Sequence, residues 1–247
     1  MGGAVGIIMI LEVKQVTANG KNNFEIFENG QIIFRAQTPF YKLVTPIGRN
    51  AFHTLTLTDA SGQEVLRTEY NVAENLAASV VPLSWMFTDS KKIRRYSVIN
   101  SRGYCVGTFY FEQTGVADTR TVIEYQGRTL ACYKRGAGKK EIVAFYEGDV
   151  QVGQLTKPNC VKDLLDCYLL HFTDYFPFRD IVSLFAVYYD FMYHSNSGKI
   201  YKGKQINLNY TFDKNSKMCN KKFIAETFGK DEDERVEQYI KDAYKKK

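Results

Sequence analysis

Five times between Phe24 and Val152 a run rich in β-branched and aromatic residues meets a short turn carrying glycine, and a second such run follows at once. The instances are Phe24–Phe34 about Gly30, Leu55–Leu66 about Gly62, Tyr96–Val106 about Gly103, Thr121–Leu130 about Gly127 and Ile142–Val152 about Gly148. Tight hairpin turns hold a residue at positive φ, which Cβ penalises, so glycine marks them, and Asn29-Gly30 is the strongest of the five signals. Five hairpins are ten strands. The spacing between them leaves no room for crossover helices, so the chain reads as an antiparallel meander and not as a βαβ fold.

Two further strands are expected, Ile7–Lys14 before the first hairpin and Cys167–Thr173 after the last, for a total of about twelve. Between the hairpins, Ala73–Ser79 within Asn71–Asp89 has the composition of a short helix. Gly136–Lys140 reads as an exposed, mobile loop.

After Pro177 the pattern changes. From Ile181 to Tyr193 only Ser183 and Asp190 are small-polar or charged, so a helix here has no polar face. A helix apolar all round is surrounded either by lipid or by protein. Sixteen residues, Phe178–Tyr193, reach about 24 Å, short of the roughly 30 Å hydrocarbon core of a bilayer. The helix is therefore read as buried inside the protein. A barrel of about twelve strands is too wide for its own side chains to fill, and a helix about 10 Å across fits the space. The expected fold is mainly β: a closed antiparallel barrel of about twelve strands, residues 1–195, around a central hydrophobic helix at about 178–193. A C-terminal extension, 196–247, follows, with a strand at about 204–212 and an amphipathic helix at about 233–245.

Charge is uneven. The extension carries 13 Lys and Arg against 8 Asp and Glu, whereas the first 195 residues hold 20 against 19. The body lacks the basic excess that nucleic-acid binding demands, and no specific nucleic acid is expected as a partner. Five cysteines (Cys105, Cys132, Cys160, Cys167, Cys219) include no CxxC pair, and the three histidines lie far apart. Neither a zinc site nor a disulfide framework is expected, and the thiols read as buried ones in a reducing cytoplasm. The apolar N-terminus has no basic residue ahead of it and makes a poor signal peptide.

The order of elements, glycine-turned hairpins and then one all-apolar helix closing on Asp190 among aromatic residues, resembles the tubby C-terminal-like superfamily. That superfamily includes the LURP-one-related proteins and phospholipid scramblases. The resemblance spans about Leu11 to His194, with Ile181–Tyr193 its most telling segment, and the chain beyond Asn196 departs from it. It implies a twelve-stranded barrel wrapped around a hydrophobic helix and, as in tubby domains, binding of phosphoinositide headgroups by basic side chains on the barrel exterior. No motif carries those residues over individually. The nearest feature is Lys91, Lys92, Arg94 and Arg95, four cations entering the strand before Gly103, able to engage phosphate through charge-assisted hydrogen bonds.

No nucleophile elbow, phosphate loop, zincin motif or dinucleotide fingerprint occurs, and neither a catalytic residue nor a cofactor is assigned. Asp190 is a candidate buried acid, with a carboxylate at the barrel mouth meeting solvent or accepting hydrogen bonds as the plainer reading. His171 and Asp174 have no evident third partner. The expectation is a non-enzymatic cytoplasmic binding module, peripheral at the inner membrane face, for an anionic phospholipid headgroup or a membrane-associated protein partner. A structural protein that oligomerises through its extension comes second, and an enzyme with a site at the barrel mouth third.

Overall fold

The computed structural model describes residues 8–17, 22–39, 54–70, 92–114, 119–161, 165–194, 205–206 and 217–244. In chain order the strands are β1 (Met9–Thr17), β2 (Asn23–Glu28), β3 (Gln31–Gln37), β4 (Thr56–Asp59), β5 (Glu64–Tyr70), β6 (Lys92–Asn100), β7 (Cys105–Gln113), β8 (Thr119–Tyr125), β9 (Arg128–Ala137), β10 (Lys140–Glu147), β11 (Val150–Pro158), β12 (Cys160–Val161) and β13 (Cys167–Phe172). Helix α1 (Arg179–Tyr193), strand β14 (Gln205–Ile206), and helices α2 (Phe223–Thr227) and α3 (Lys230–Tyr244) complete the set.

Twelve strands close into one antiparallel barrel: β1 to β11 pair in sequence order, and β13 closes the ring between β11 and β1, while β12 lies outside it. β1 pairs β2 on one side and β13 on the other, with Leu11 opposite both Glu28 and Leu170. Closure leaves no strand edge in the ring exposed to another chain. The hairpin turns fall where the glycines place them. Asn29 and Gly30 stand at φ 52° and 78°, both in the left-handed region that a two-residue turn of matching twist requires. Gly136–Lys140 is not the loose loop its composition indicates. β9 runs to Ala137, Gly138 takes φ 66°, and β10 begins at Lys140, so the segment is a tight hairpin.

Helix α1 is buried along nearly its whole length, every residue from Ile181 to Phe191 included. Its residues share one apolar cluster with inward side chains such as Leu11, Ile26, Leu57, Val98, Phe109, Leu130, Val143, Leu155 and Leu170. Phe185 meets Phe109 of β7 and Phe145 of β10 edge-on at 5.8 and 5.2 Å between ring centroids, and Tyr188 meets Tyr96 of β6 at 5.2 Å. Near the helix start, the Tyr125 hydroxyl donates to Asp180 (2.6 Å) and Arg179 pairs with Glu28 (2.8 Å). Packing is tight enough that a Cβ on Gly153 of β11 would fall 2.4 Å from the Phe172 ring.

Residues 217–244 of the C-terminal extension lie on the outside of this same barrel. α2 and α3 cover the outer face of β13, burying Phe223, Ile224 and Val236 against Leu169. The Tyr146 hydroxyl donates to the carbonyl of Met218 (2.6 Å), Tyr244 to that of Lys139 (3.0 Å), and Lys140 pairs with Glu237. α3 begins a turn earlier than its apolar stripe alone indicates, because Asp231, Glu232 and Asp233 supply the acidic first turn that suits a helix N-terminus. β14 pairs β12 through Gln205 and Ile206, while residues 207–212 of the expected strand, like the 73–79 helix, lie outside the described residues.

The burial of α1 sets a test. Each large apolar side chain on it contributes about 1.5–3 kcal/mol by leaving water, and a charge at Phe185 would be stranded among rings. Phe185→Asp is expected to abolish the cooperative thermal transition; a soluble monomer melting at the wild-type temperature would contradict the packing described.

Candidate functional site

Of the four cations singled out in the sequence, Lys91 lies outside the described residues, and Lys92 stands at the start of β6 opposite Glu112. Arg94 and Arg95 are both exposed, and the backbone explains how they come to be adjacent on the surface. Ile93 pairs with Phe111 and Tyr96 with Phe109, so Arg94 and Arg95 together face the single residue Tyr110. This is a β-bulge, the device by which an extra residue re-aims side chains at a barrel rim. Arg94 takes φ 52°. The other non-glycine residues at positive φ among those described, Asn29 and Gln126, each precede a glycine in a hairpin turn. Arg94 has no such turn. A non-glycine residue held there costs about 1–3 kcal/mol and persists only where its surroundings enforce it.

The surroundings are aromatic. The Arg94 guanidinium sits 5.8 Å from the centroid of Phe111, and Phe111 in turn meets Tyr193 at the end of α1. No carboxylate among the described residues forms a salt bridge with Arg94. The nearby Arg120, by contrast, is held by Glu112 (2.6 Å).

A second group of polar side chains gathers at the same end of the barrel, on the inside. Glu141 of β10, fully buried, accepts the Tyr189 hydroxyl (2.5 Å) and lies 3.1 Å from Lys134 of β9 and 2.9 Å from His194 Nε2. Because a carboxylate only accepts, His194 Nε2 carries the proton in that contact. Burial disfavours the imidazolium more than Glu141 draws it up, so His194 is held below the usual histidine range. For Glu141 burial acts upward, but the His194 hydrogen bond, the Lys134 charge and the Tyr189 hydroxyl outweigh it and hold the carboxyl well below its ordinary range. Beside these lie Lys157 of β11 and Asp166, paired at 2.6 Å and both almost wholly buried, and Asp190, which accepts the Tyr168 hydroxyl at 2.6 Å. Asp190 is thus a hydrogen-bonded carboxyl within the barrel that does not meet solvent.

The remaining sequence candidates separate. His171 points outward under α3 and contacts Glu232 (2.6 Å), while Asp174 is exposed, so the two form no site. Burial raises Glu232, but His171 and Arg235 more than offset it and bring the carboxyl down to about 2. Cys132, Cys160 and Cys219 are buried and Cys167 is partly so, but Cys105, expected inside, is exposed at the start of β7. A hollow of ≈ 340 Å³ on the outer face of β2, β3 and β4 is lined by Val16, Phe24 and Ala36 together with polar side chains that pair with one another, Gln37 with Asn23 (2.9 Å) and Arg35 with Glu25 (3.7 Å). Among the described residues no three His, Cys, Asp or Glu side chains are placed to hold a metal ion, and no helix is long and apolar enough to cross a membrane.

No known family, curated protein or solved structure matches this chain. The inward polar group was not foreseen because its members are scattered from Lys134 to His194 and only barrel closure brings them together. The bulge at Arg94 left no mark in the sequence beyond the run of cations.

Glycine relieves a left-handed strain that arginine cannot. Arg94→Gly is expected to raise the denaturant midpoint by an amount worth about 1 kcal/mol; a fall in the midpoint would show that the Arg94 side chain stabilises the bulge by more than its backbone costs.

Proposed function

We propose that the protein is a non-catalytic binding module of tubby-like architecture, its barrel threaded by α1, that takes anionic phospholipid headgroups at the β6 bulge. The observation that carries this reading is Arg94: exposed, in a strained backbone conformation, over an aromatic ring, and paired with no carboxylate among the described residues. Strain that stability alone would remove is the kind retained for binding. A guanidinium offers planar paired donors to phosphate oxygens, and Arg95 beside it, with Lys92 and Lys91 preceding, raises the local positive charge. In this reading the protein works peripherally at the inner face of a membrane, where each nearby cation adds about 1 kcal/mol.

The competing readings draw less support. Oligomerisation through the extension would need a free apolar face, and among its described residues Phe223, Ile224 and Val236 are already buried against the chain's own barrel. An enzyme at the barrel mouth would need access to the polar groups there, and Glu141, Lys157, Asp166 and Asp190 are all buried.

Co-sedimentation with vesicles tests the proposal. Recovery with phosphoinositide-containing vesicles is expected to exceed that with purely zwitterionic ones and to fall as salt rises. The double variant Arg94→Ala, Arg95→Ala is expected to lose affinity about 30-fold, two cations at about 1 kcal/mol each. Equal, salt-insensitive recovery in the supernatant for both vesicle types would contradict it.

A further inference from the structure

Asp190 and Asp166 come from different parts of the chain, α1 and the segment entering β13, and both are buried in one site, Asp166 against Lys157 and Asp190 against Tyr168, with the Lys157 ammonium standing over the Tyr168 ring. The groups facing this pair can be named element by element. β11 contributes Lys157, whose Nζ lies 2.6 Å from Asp166 Oδ1 and 5.8 Å from the Tyr168 ring centroid. β13 contributes the Tyr168 hydroxyl, which donates to Asp190 Oδ1. β1 contributes Gln15, which accepts the Asp166 N–H (2.9 Å) and donates its own N–H to the Asp166 carbonyl (2.9 Å). β10 and β9 contribute Glu141 and Lys134, which already neutralise one another at 3.1 Å, and α1 itself adds Tyr189 and His194, both engaged with Glu141.

One cation, Lys157, thus stands among two buried carboxyl groups and pairs with Asp166 alone. With both written as carboxylates, Asp190 Oδ2 is buried and has no donor to accept from. Two neighbouring buried carboxylates repel one another and share a single ammonium, and a proton between them turns the repulsion into an O–H···O⁻ hydrogen bond. We propose that Asp166 and Asp190 share one trapped proton, and that this proton forms a clasp tying the C-terminal end of α1 to the barrel wall, which loosens when the proton is lost. The clasped turn also carries Met192, whose sulfur accepts the Tyr96 hydroxyl (3.8 Å), and Tyr193, which packs on Phe111 beneath Arg94.

Burial first, and the Asp166 charge second, raise Asp190 well above the ordinary aspartate value of 3.8, against the opposing pull of Tyr168 and Lys157. The sign of the pH effect follows. Above the unfolded-state value the unfolded chain has given up this proton while the folded chain keeps it, so unfolding releases a proton and rising pH favours unfolding. The stabilisation is complete in acid and is lost progressively as pH climbs toward the folded-state value.

The test compares the melting temperature of the full chain and of Asp190→Asn across pH. Asparagine accepts from Tyr168 and donates to Asp166 without needing a proton from solution. The two proteins are expected to converge at low pH, and as pH rises the wild type should melt progressively below the variant, by several degrees at the alkaline end, since 1 kcal/mol moves a chain of this size by about 2–4 °C. Parallel curves would overturn the proposal. A second measurement needs no variant: the carboxyl region of the wild-type infrared spectrum at neutral pH. A protonated-acid carbonyl band is expected there, and its absence would overturn the proposal equally.

Discussion

The fold depends on one contact, that between the apolar helix α1 and the inward side chains of the closed sheet. Neither partner is viable without it. Twelve strands enclose more space than their own side chains fill, and a helix with Leu184, Phe185, Val187, Tyr188 and Phe191 on it finds no stable place in water. Rings from β6, β7 and β10 meet Phe185 and Tyr188 edge-on, the arrangement aromatic quadrupoles favour. The contact also accounts for the close approach at Gly153, where any side chain would displace Phe172 from the ring cluster.

Where that apolar contact ends, the structure turns polar, and it does so differently at the two ends of α1. At the start, Asp180 and Arg179 meet Tyr125 and Glu28 near the hairpin turns. At the other end Glu141, Lys157, Asp166 and Asp190 are buried together, and each lone pair or proton must find a partner because water does not. The Lys134–Glu141 and Lys157–Asp166 pairs meet that demand by charge. Asp190 has no cation of its own. The same end carries the bulge at Arg94, whose guanidinium lies over Phe111, the ring that meets Tyr193 at the helix terminus.

The hairpins were legible in the sequence because their information is local: a glycine or Asn-Gly at the turn, β-formers on both sides. All ten strands, and the two flanking them, stand in the ring. The extent of α1 was legible for the same reason, its apolar run being bounded by Pro177 and His194. What could not be read is whatever depends on closure. Nothing near Asp190 in sequence points to Asp166 or Lys157. Gly136–Lys140 resembles a loop because glycine and lysine are poor strand formers, and pairing with β10 overrides that preference. α2 was missed because five residues are too few to show a period, and Phe223 and Ile224 become a helix only against Leu169.

Native-state hydrogen exchange of the α1 backbone tests the central claim most directly. If the helix is held on all sides by the sheet, the amides from Phe185 to Phe191 exchange only when the whole protein unfolds, with the same free energy as the slowest amides of β7 and β10. Exchange of those helix amides at a markedly lower free energy, while the sheet stays protected, would mean that the helix leaves its place without the barrel coming apart, and the account would fail.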